Sequence, residues 1–90
     1  MDTKNMEKYE VLVDKRVMKF FRKLPSKHEG QVKSKLMDLR DNPYCQDSKK
    51  LHTGGYRVTA GEYRILYTVD ESSKNVTVYE IVKRNDYKYR

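Results

Sequence analysis

The chain has one cysteine, two histidines, two prolines and no tryptophan among its 90 residues. A single thiol, Cys45, excludes an internal disulfide and is typical of a reducing compartment. Two distant histidines and one thiol match no usual metal-ligand spacing, so we expect neither a metal nor a cofactor. No apolar run approaches membrane-spanning length, and no secretory apolar segment is visible. We therefore expect a cytoplasmic protein with no membrane partner.

Carboxylates are also scarce relative to cations. The 20 lysines and arginines outnumber the 13 aspartates and glutamates, which gives a formal net charge of +7. Such a balance favours a polyanion or an acidic protein as partner, although a merely soluble basic surface is the alternative. Ninety residues suffice for one small core. We predict a single domain over residues 1–90, with residues 1–8 flexible.

The first half of the chain predicts a strand followed by two helices. Residues 9–13 have the composition of a strand, and Asp14 is placed to cap the helix that follows. That helix presents an apolar stripe of Val17, Phe20, Phe21 and Leu24. Pro25 ends it, and Ser26 with Glu29 has the spacing of a capping box for the next helix. The two helices should form an antiparallel hairpin, because the turn between them is short.

The second helix carries Val32, Leu36 and Leu39 inward and ends before Asn42-Pro43, since the residue before proline avoids the helical region. Strand-like runs separated by turns then occupy the rest of the chain. The order β-α-α-β-β-β predicts an α+β fold with a mainly antiparallel sheet and a short C-terminal segment.

The later strands are rich in arginine and tyrosine. Alternation along one strand places Arg64 on the opposite sheet face from Tyr63, Ile65 and Tyr67, and Arg57 lies on the neighbouring strand. Arginine is suited to phosphate, and a tyrosine ring can stack on a base. An exposed strand arginine without function is the alternative. The pattern favours a nucleic-acid ligand.

Further candidates flank these strands. Arg84 follows the last strand, and Tyr87 lies three residues on, where the pair could clamp a phosphate and stack a base. The alternative is an ordinary solvated basic terminus. Lys49, Lys50 and His52 form a basic approach to the hairpin. His52 could act in proton transfer, although an isolated loop histidine is more often inert.

RNA cleavage by a ribose 2′-hydroxyl is the reaction that would need this set. It requires a base, cations for the developing phosphorane charge and an acid for the leaving 5′-oxygen. Arginines suit the second role and serve proton transfer poorly.

The ordered motifs resemble the RelE/ParE toxin superfamily over about residues 9–89. They are Leu24-Pro25, Leu39-x-x-Asn42-Pro43, Lys50-Leu51, Tyr56-Arg57-Val58, Gly61-Glu62-Tyr63-Arg64-Ile65-Leu66-Tyr67 and Val82-Lys83-Arg84. The short helix hairpin is more similar to the RelE branch. That resemblance implies a ribosome-dependent endoribonuclease that cuts mRNA in the A site without a metal. It also implies an acidic cognate antitoxin, through which the toxin contacts operator DNA only indirectly.

The resemblance also assigns residue roles. Arg64 would bind the phosphate, and Arg84 would stabilise the phosphate or assist the leaving group. Tyr87 would stack on or orient the nucleotide, with Tyr89 as a substitute. His52 would contribute to catalysis. The remaining RNA-binding cations would be Lys50, Arg57 and Lys83.

Thr59 departs from the pattern, because RelE has there a second lysine proposed to help activate the 2′-hydroxyl. The base is left open among His52, Lys50, Glu62 and a ribosomal group. Two other functions also remain open: a ParE-like inhibitor of DNA gyrase, and a non-catalytic relic that retains antitoxin binding.

Overall fold

A computed structural model describes residues 8–83 of the chain. These residues form two helices and five strands, which confirms the predicted α+β fold. In chain order they are β1 (Glu10–Val13), α1 (Lys15–Arg22), α2 (Ser26–Asp41), β2 (Lys49–Lys50), β3 (Tyr56–Ala60), β4 (Tyr63–Asp70) and β5 (Asn75–Lys83). The two-residue strand β2 is an element that the sequence patterns do not predict.

The five strands make one sheet in the order β1-β5-β4-β3-β2. Strand β1 runs parallel to β5, with Val11 opposite Val76, and every other neighbouring pair is antiparallel. The β3–β4 turn depends on Gly61, which has a φ of 63°. A Cβ atom at Gly61 would also collide with the side chain of Gln31 on α2. The positive φ is what favours glycine at this position, because the end of the flexible Gln31 side chain can move aside.

Local signals determine most helix ends. The Asp14 carboxylate accepts from the Arg16 amide at 2.8 Å, as predicted for the cap of α1. The predicted capping box of α2 is wrong, because Ser26 is already the first helical residue. Pro25 occupies the cap position in an extended conformation, and its carbonyl accepts from the Glu29 amide at 2.9 Å. Helix α2 ends at Asp41, before Asn42-Pro43, as the sequence predicts.

The core lies between the helices and one face of the sheet. On α2, Val32 and Leu39 are fully buried and Leu36 is partly buried against them, as predicted. The predicted stripe of α1 is wrong at Phe20, which is 39% exposed. The Phe20 ring meets Tyr63 edge-on at 6.1 Å, at the margin of the core. Helix α1 thus contributes chiefly Val17 and the partly buried Phe21, and Leu24 packs partly buried just after the helix ends.

Tyr67 ties the sheet to the loop that follows α2. Its side chain is fully buried, and its hydroxyl donates to the Pro43 carbonyl at 2.6 Å. Tyr56 stacks on it with ring centroids 5.8 Å apart. Burial raises the pKa of Tyr67 to about 12, so the hydroxyl stays protonated and keeps its role as donor.

Replacing Tyr67 with phenylalanine tests this anchor. Tyr67→Phe leaves the buried Pro43 carbonyl without its donor and should lower the free energy of unfolding by about 1–3 kcal/mol. Chemical denaturation measures the change. Tyr56→Phe is the control, because residues 8–83 supply no hydrogen-bond partner for the Tyr56 hydroxyl. Equal effects of the two substitutions would contradict the anchoring role.

Glu71, in the turn between β4 and β5, joins three separate segments. Its carboxylate accepts from the Tyr9 hydroxyl at 2.9 Å, from the Tyr44 hydroxyl and from the Lys74 ammonium at 3.0 Å. The hydrogen bond from Tyr44 contributes most, followed by those from Lys74 and Tyr9, and together they lower the pKa of Glu71 from 4.5 to about 2. Glu71 therefore links the entry to β1, the loop after α2 and its own turn.

The lowered pKa predicts an acid-sensitive contribution to stability. A carboxyl with a depressed folded-state pKa stabilises the fold above its unfolded pKa of 4.5, and this contribution is lost as the pH falls towards 2. Glu71→Gln should therefore flatten the decline of the melting temperature between pH 4.5 and pH 2. Thermal melts across this range measure the decline. Glu62→Gln, in the exposed β3–β4 turn, should leave the wild-type decline unchanged, and a similar flattening there would contradict the assignment.

Candidate nucleic-acid interface

The sheet has one face against the helices and a second face that the helices do not cover. Alternation along β4 buries Tyr63, Ile65 and Tyr67 on the first face. The second face, hereafter the open face, includes Arg57, Thr59, Arg64, Leu66 and Glu80. The predicted separation of Arg64 from the buried residues of its own strand is therefore confirmed.

Arg57 and Arg64 are diagonal neighbours on this face. Arg57 stands directly opposite Leu66, and Arg64 directly opposite Thr59. Diagonal partners on adjacent antiparallel strands lie roughly 7–8 Å apart at the backbone, within reach of long side chains. Leu66, which is directly opposite Arg57 and two residues from Arg64 on the same face, is only 9% exposed. An anion bound there would be partly shielded from water, which strengthens its attraction to the arginines.

The strand register separates the two lysines of β2. Lys49 lies opposite Arg57, whereas Lys50 lies opposite Tyr56, which packs against the buried core. Because directly opposed residues project to the same face, Lys49 belongs to the open face and Lys50 to the other. The sequence prediction selects Lys50, whereas the register sets its neighbour Lys49 on the face of Arg57. A two-residue strand offers no alternation from which the correct face could be read.

Two further predicted residues lie away from the open face. Lys83 is opposite the buried Tyr63 and lines a cleft of about 520 Å³ beside Phe20 and Leu24. His52 is exposed in the tight loop between β2 and β3, where the Leu51 amide donates to the Gly55 carbonyl at 2.8 Å. The fold therefore brings neither side by side with Arg57 and Arg64.

Arg84, Tyr87 and Tyr89 lie outside the described residues. Of the eight predicted site residues, Arg57 and Arg64 are thus the pair that residues 8–83 bring together. The predicted roles of the three C-terminal residues stay predictions.

Glu80 is a carboxylate on the open face that the sequence reasoning does not single out. It lies opposite Leu66, in the same row across the sheet as Arg57. Its neighbour Tyr79 is the extra residue where the β4–β5 register shifts, and it is 40% exposed. Residues 8–83 contain no group of three histidine, cysteine or acidic residues suited to a metal ion. No helix among them has both the length and the apolar character needed to cross a bilayer.

We compared the sequence and the fold with known proteins. No protein-family model and no curated protein matches the sequence. Solved structures do match. The RelBE2 toxin–antitoxin complex of Mycobacterium tuberculosis superposes with a TM-score of 0.76 at 25% identity, covering 86% of this chain and 99% of that one. This chain has the RelE-like toxin fold.

Two other RelE structures agree. The archaeal RelE–RelB complex from Pyrococcus horikoshii matches with a TM-score of 0.75 at 23% identity, over 86% of this chain and 96% of that one. The isolated RelE toxin of E. coli matches with a TM-score of 0.72 at 29% identity, over 83% of each chain. The RelE-like fold expected from the motif order is therefore confirmed, and the match spans most of both chains.

Proposed function

We propose that this protein is the toxin of a type II toxin–antitoxin pair. Its activity would be that of a ribosome-dependent endoribonuclease that cleaves mRNA in the A site and so inhibits translation. The observation that carries the proposal is the pairing of Arg57 and Arg64 on the open face of a RelE-like sheet. The similar structures from M. tuberculosis and P. horikoshii are toxin–antitoxin complexes, which supports an antitoxin partner here.

The proposed reaction transfers the phosphoryl group from the 5′-oxygen of one nucleotide to the 2′-oxygen of its neighbour. A base removes the proton of the 2′-hydroxyl, the 2′-oxygen bonds to the adjacent phosphorus, and the bond to the 5′-oxygen breaks as that oxygen gains a proton. Arg64 would neutralise the charge that develops on the phosphorane, and Arg57 would hold the same strand of RNA. Arg84 would assist the leaving 5′-oxygen, and Tyr87 would stack on the base.

The proton acceptor is the component that varies most from the RelE pattern. Thr59, directly opposite Arg64, cannot replace the lysine of RelE in proton transfer. Lys50, an earlier candidate, projects to the face opposite Arg64 and does not fit this role. Glu80 shares the face of Arg64 and joins the candidates His52 and Glu62. A ribosomal group is the remaining source of a base.

The same charge and fold also suit a partner other than RNA. The antitoxin would be small and acidic, complementary to a net charge of +7. A ParE-like gyrase inhibitor would have no use for two arginines gathered on one sheet face, which favours the ribonuclease. An SOS response with intact mRNA after induction would select the gyrase inhibitor instead.

Removing one arginine tests the cleavage function. Arg64→Ala should lower single-turnover cleavage of mRNA on programmed ribosomes about 10²–10³-fold, because it removes a preorganised donor for the developing charge. Arg22→Ala, an exposed change on α1, should cleave like the wild type. Mapping of mRNA 5′ ends after induction adds the cellular readout. Growth arrest by the wild type without codon-positioned cuts would refute the ribonuclease function.

Restoring the missing amine tests the role of Thr59. Thr59→Lys should raise the cleavage rate about 10²-fold, because it places a proton-transfer group beside Arg64. Thr68→Lys adds the same charge to the same face, opposite Thr77, and should have little effect on this rate. Equal gains from both substitutions would show that charge alone is responsible.

A further inference from the structure

We infer that Lys49 is an additional RNA-binding residue, which holds a phosphate flanking the one bound by Arg64. This inference rests on the proposed function and adds to it the course of the RNA across the sheet. The strand would run from Arg64 on β4, past Arg57 on β3, to Lys49 at the sheet edge.

Register gives Lys49 its place. Strand β2 is the last in the sheet, and its Lys49 lies directly opposite Arg57 while Lys50 lies opposite Tyr56. Opposed residues of an antiparallel pair project to one face, with their Cβ atoms about 4.5–5.5 Å apart. The side chains of Lys49 and Arg57 therefore leave the backbone side by side on the open face. Lys50 carries the same charge on the opposite face of the same strand.

Charge explains why an anion would be drawn to this pair. Like charges directly opposed on neighbouring strands destabilise a sheet, and a shared anion relieves that repulsion. The nearby carboxylate Asp47 is engaged elsewhere, since its Oδ2 lies 3.1 Å from the Lys35 Nζ atom. Among residues 8–83, no ion pair involves Lys49. A phosphate oxygen is thus a suitable counter-ion for it.

Spacing separates Lys49 from the bond that breaks. Arg64 and Lys49 are two strands apart and offset by two residues, which places their backbones roughly 12 Å from each other, from spacings of about 4.8 Å and 3.4 Å. Arg57 stands between them. Lys49 is therefore a positioning residue that contacts a neighbouring phosphate in substrate and transition state alike. Its loss should raise KM while kcat stays near the wild-type value.

The test compares two adjacent lysines of equal charge. Binding of the full chain to a fluorescein-labelled single-stranded RNA is measured by anisotropy across a salt series, for the wild type, Lys49→Ala, Lys50→Ala and Arg64→Ala. Lys49→Ala should weaken binding about five-fold at 0.1 M salt and reduce the slope of log K against log salt by about 0.7, the contribution of one phosphate contact. Lys50→Ala should bind like the wild type. On programmed ribosomes, Lys49→Ala should raise KM alone.

Three outcomes would count against the inference. Equal effects of Lys49→Ala and Lys50→Ala would overturn it while leaving the proposed function intact. A fall in kcat at unchanged KM would overturn the flanking position. A wild type whose RNA binding is absent, or unaffected by Arg64→Ala, would overturn the proposed function and this inference together. Thermal melts guard against misfolding, and Lys49→Ala should melt no lower than Lys50→Ala because it removes a like-charge contact.

Discussion

The pleat of strand β4 is the constraint from which the rest of the molecule follows. Tyr63, Ile65 and Tyr67 supply large apolar side chains to the core at every second residue. Since consecutive strand residues point to opposite faces, burying these three on one face puts Arg64 and Leu66 on the other. A one-residue slip would exchange the two sets and place the Arg64 charge in the core, at a large cost in free energy. The strand register that buries the core therefore also sets the face on which the arginine pair lies.

Two polar contacts hold the loop beside that strand. The Tyr67 hydroxyl, within the core, donates to the Pro43 carbonyl. The Glu71 carboxylate, in the turn between β4 and β5, accepts from the Tyr44 hydroxyl. Both contacts act on the loop that leads from α2 to β2. That loop delivers Lys49 to the sheet edge opposite Arg57. The same loop is therefore held by Tyr67 and Glu71 and sets the position of the Lys49 charge on the open face.

The sequence is informative wherever one residue decides the local conformation. Asp14 caps α1 through its own carboxylate, and Asn42-Pro43 ends α2 because proline restricts its predecessor. Alternation over the eight residues of β4 is long enough to assign Arg64 to its face. In each case the deciding interaction lies within a few residues of the feature that it predicts.

Features that depend on tertiary contacts could not be predicted from the sequence. The face of Lys49 depends on its pairing with β3, which a two-residue strand does not reveal. Ser26 has the spacing of a cap, but Pro25 takes the cap position and moves Ser26 into the helix. Phe20 matches an apolar stripe and yet lies at the margin of the core beside Tyr63. Glu80 becomes a candidate base only once the sheet order places it in one row with Arg57.

The central claim is that RNA binds the open face through Arg57 and Arg64. Its most direct test is an NMR titration of the ¹⁵N-labelled protein with a short single-stranded RNA, following backbone amides and arginine Nε–Hε signals. We expect the perturbations to gather on Arg57, Thr59 and Arg64 and to extend to Lys49, while the signals of Val32 and Leu39 under the other face stay unchanged. Perturbations confined to the helices, or no saturable change at all, would contradict it.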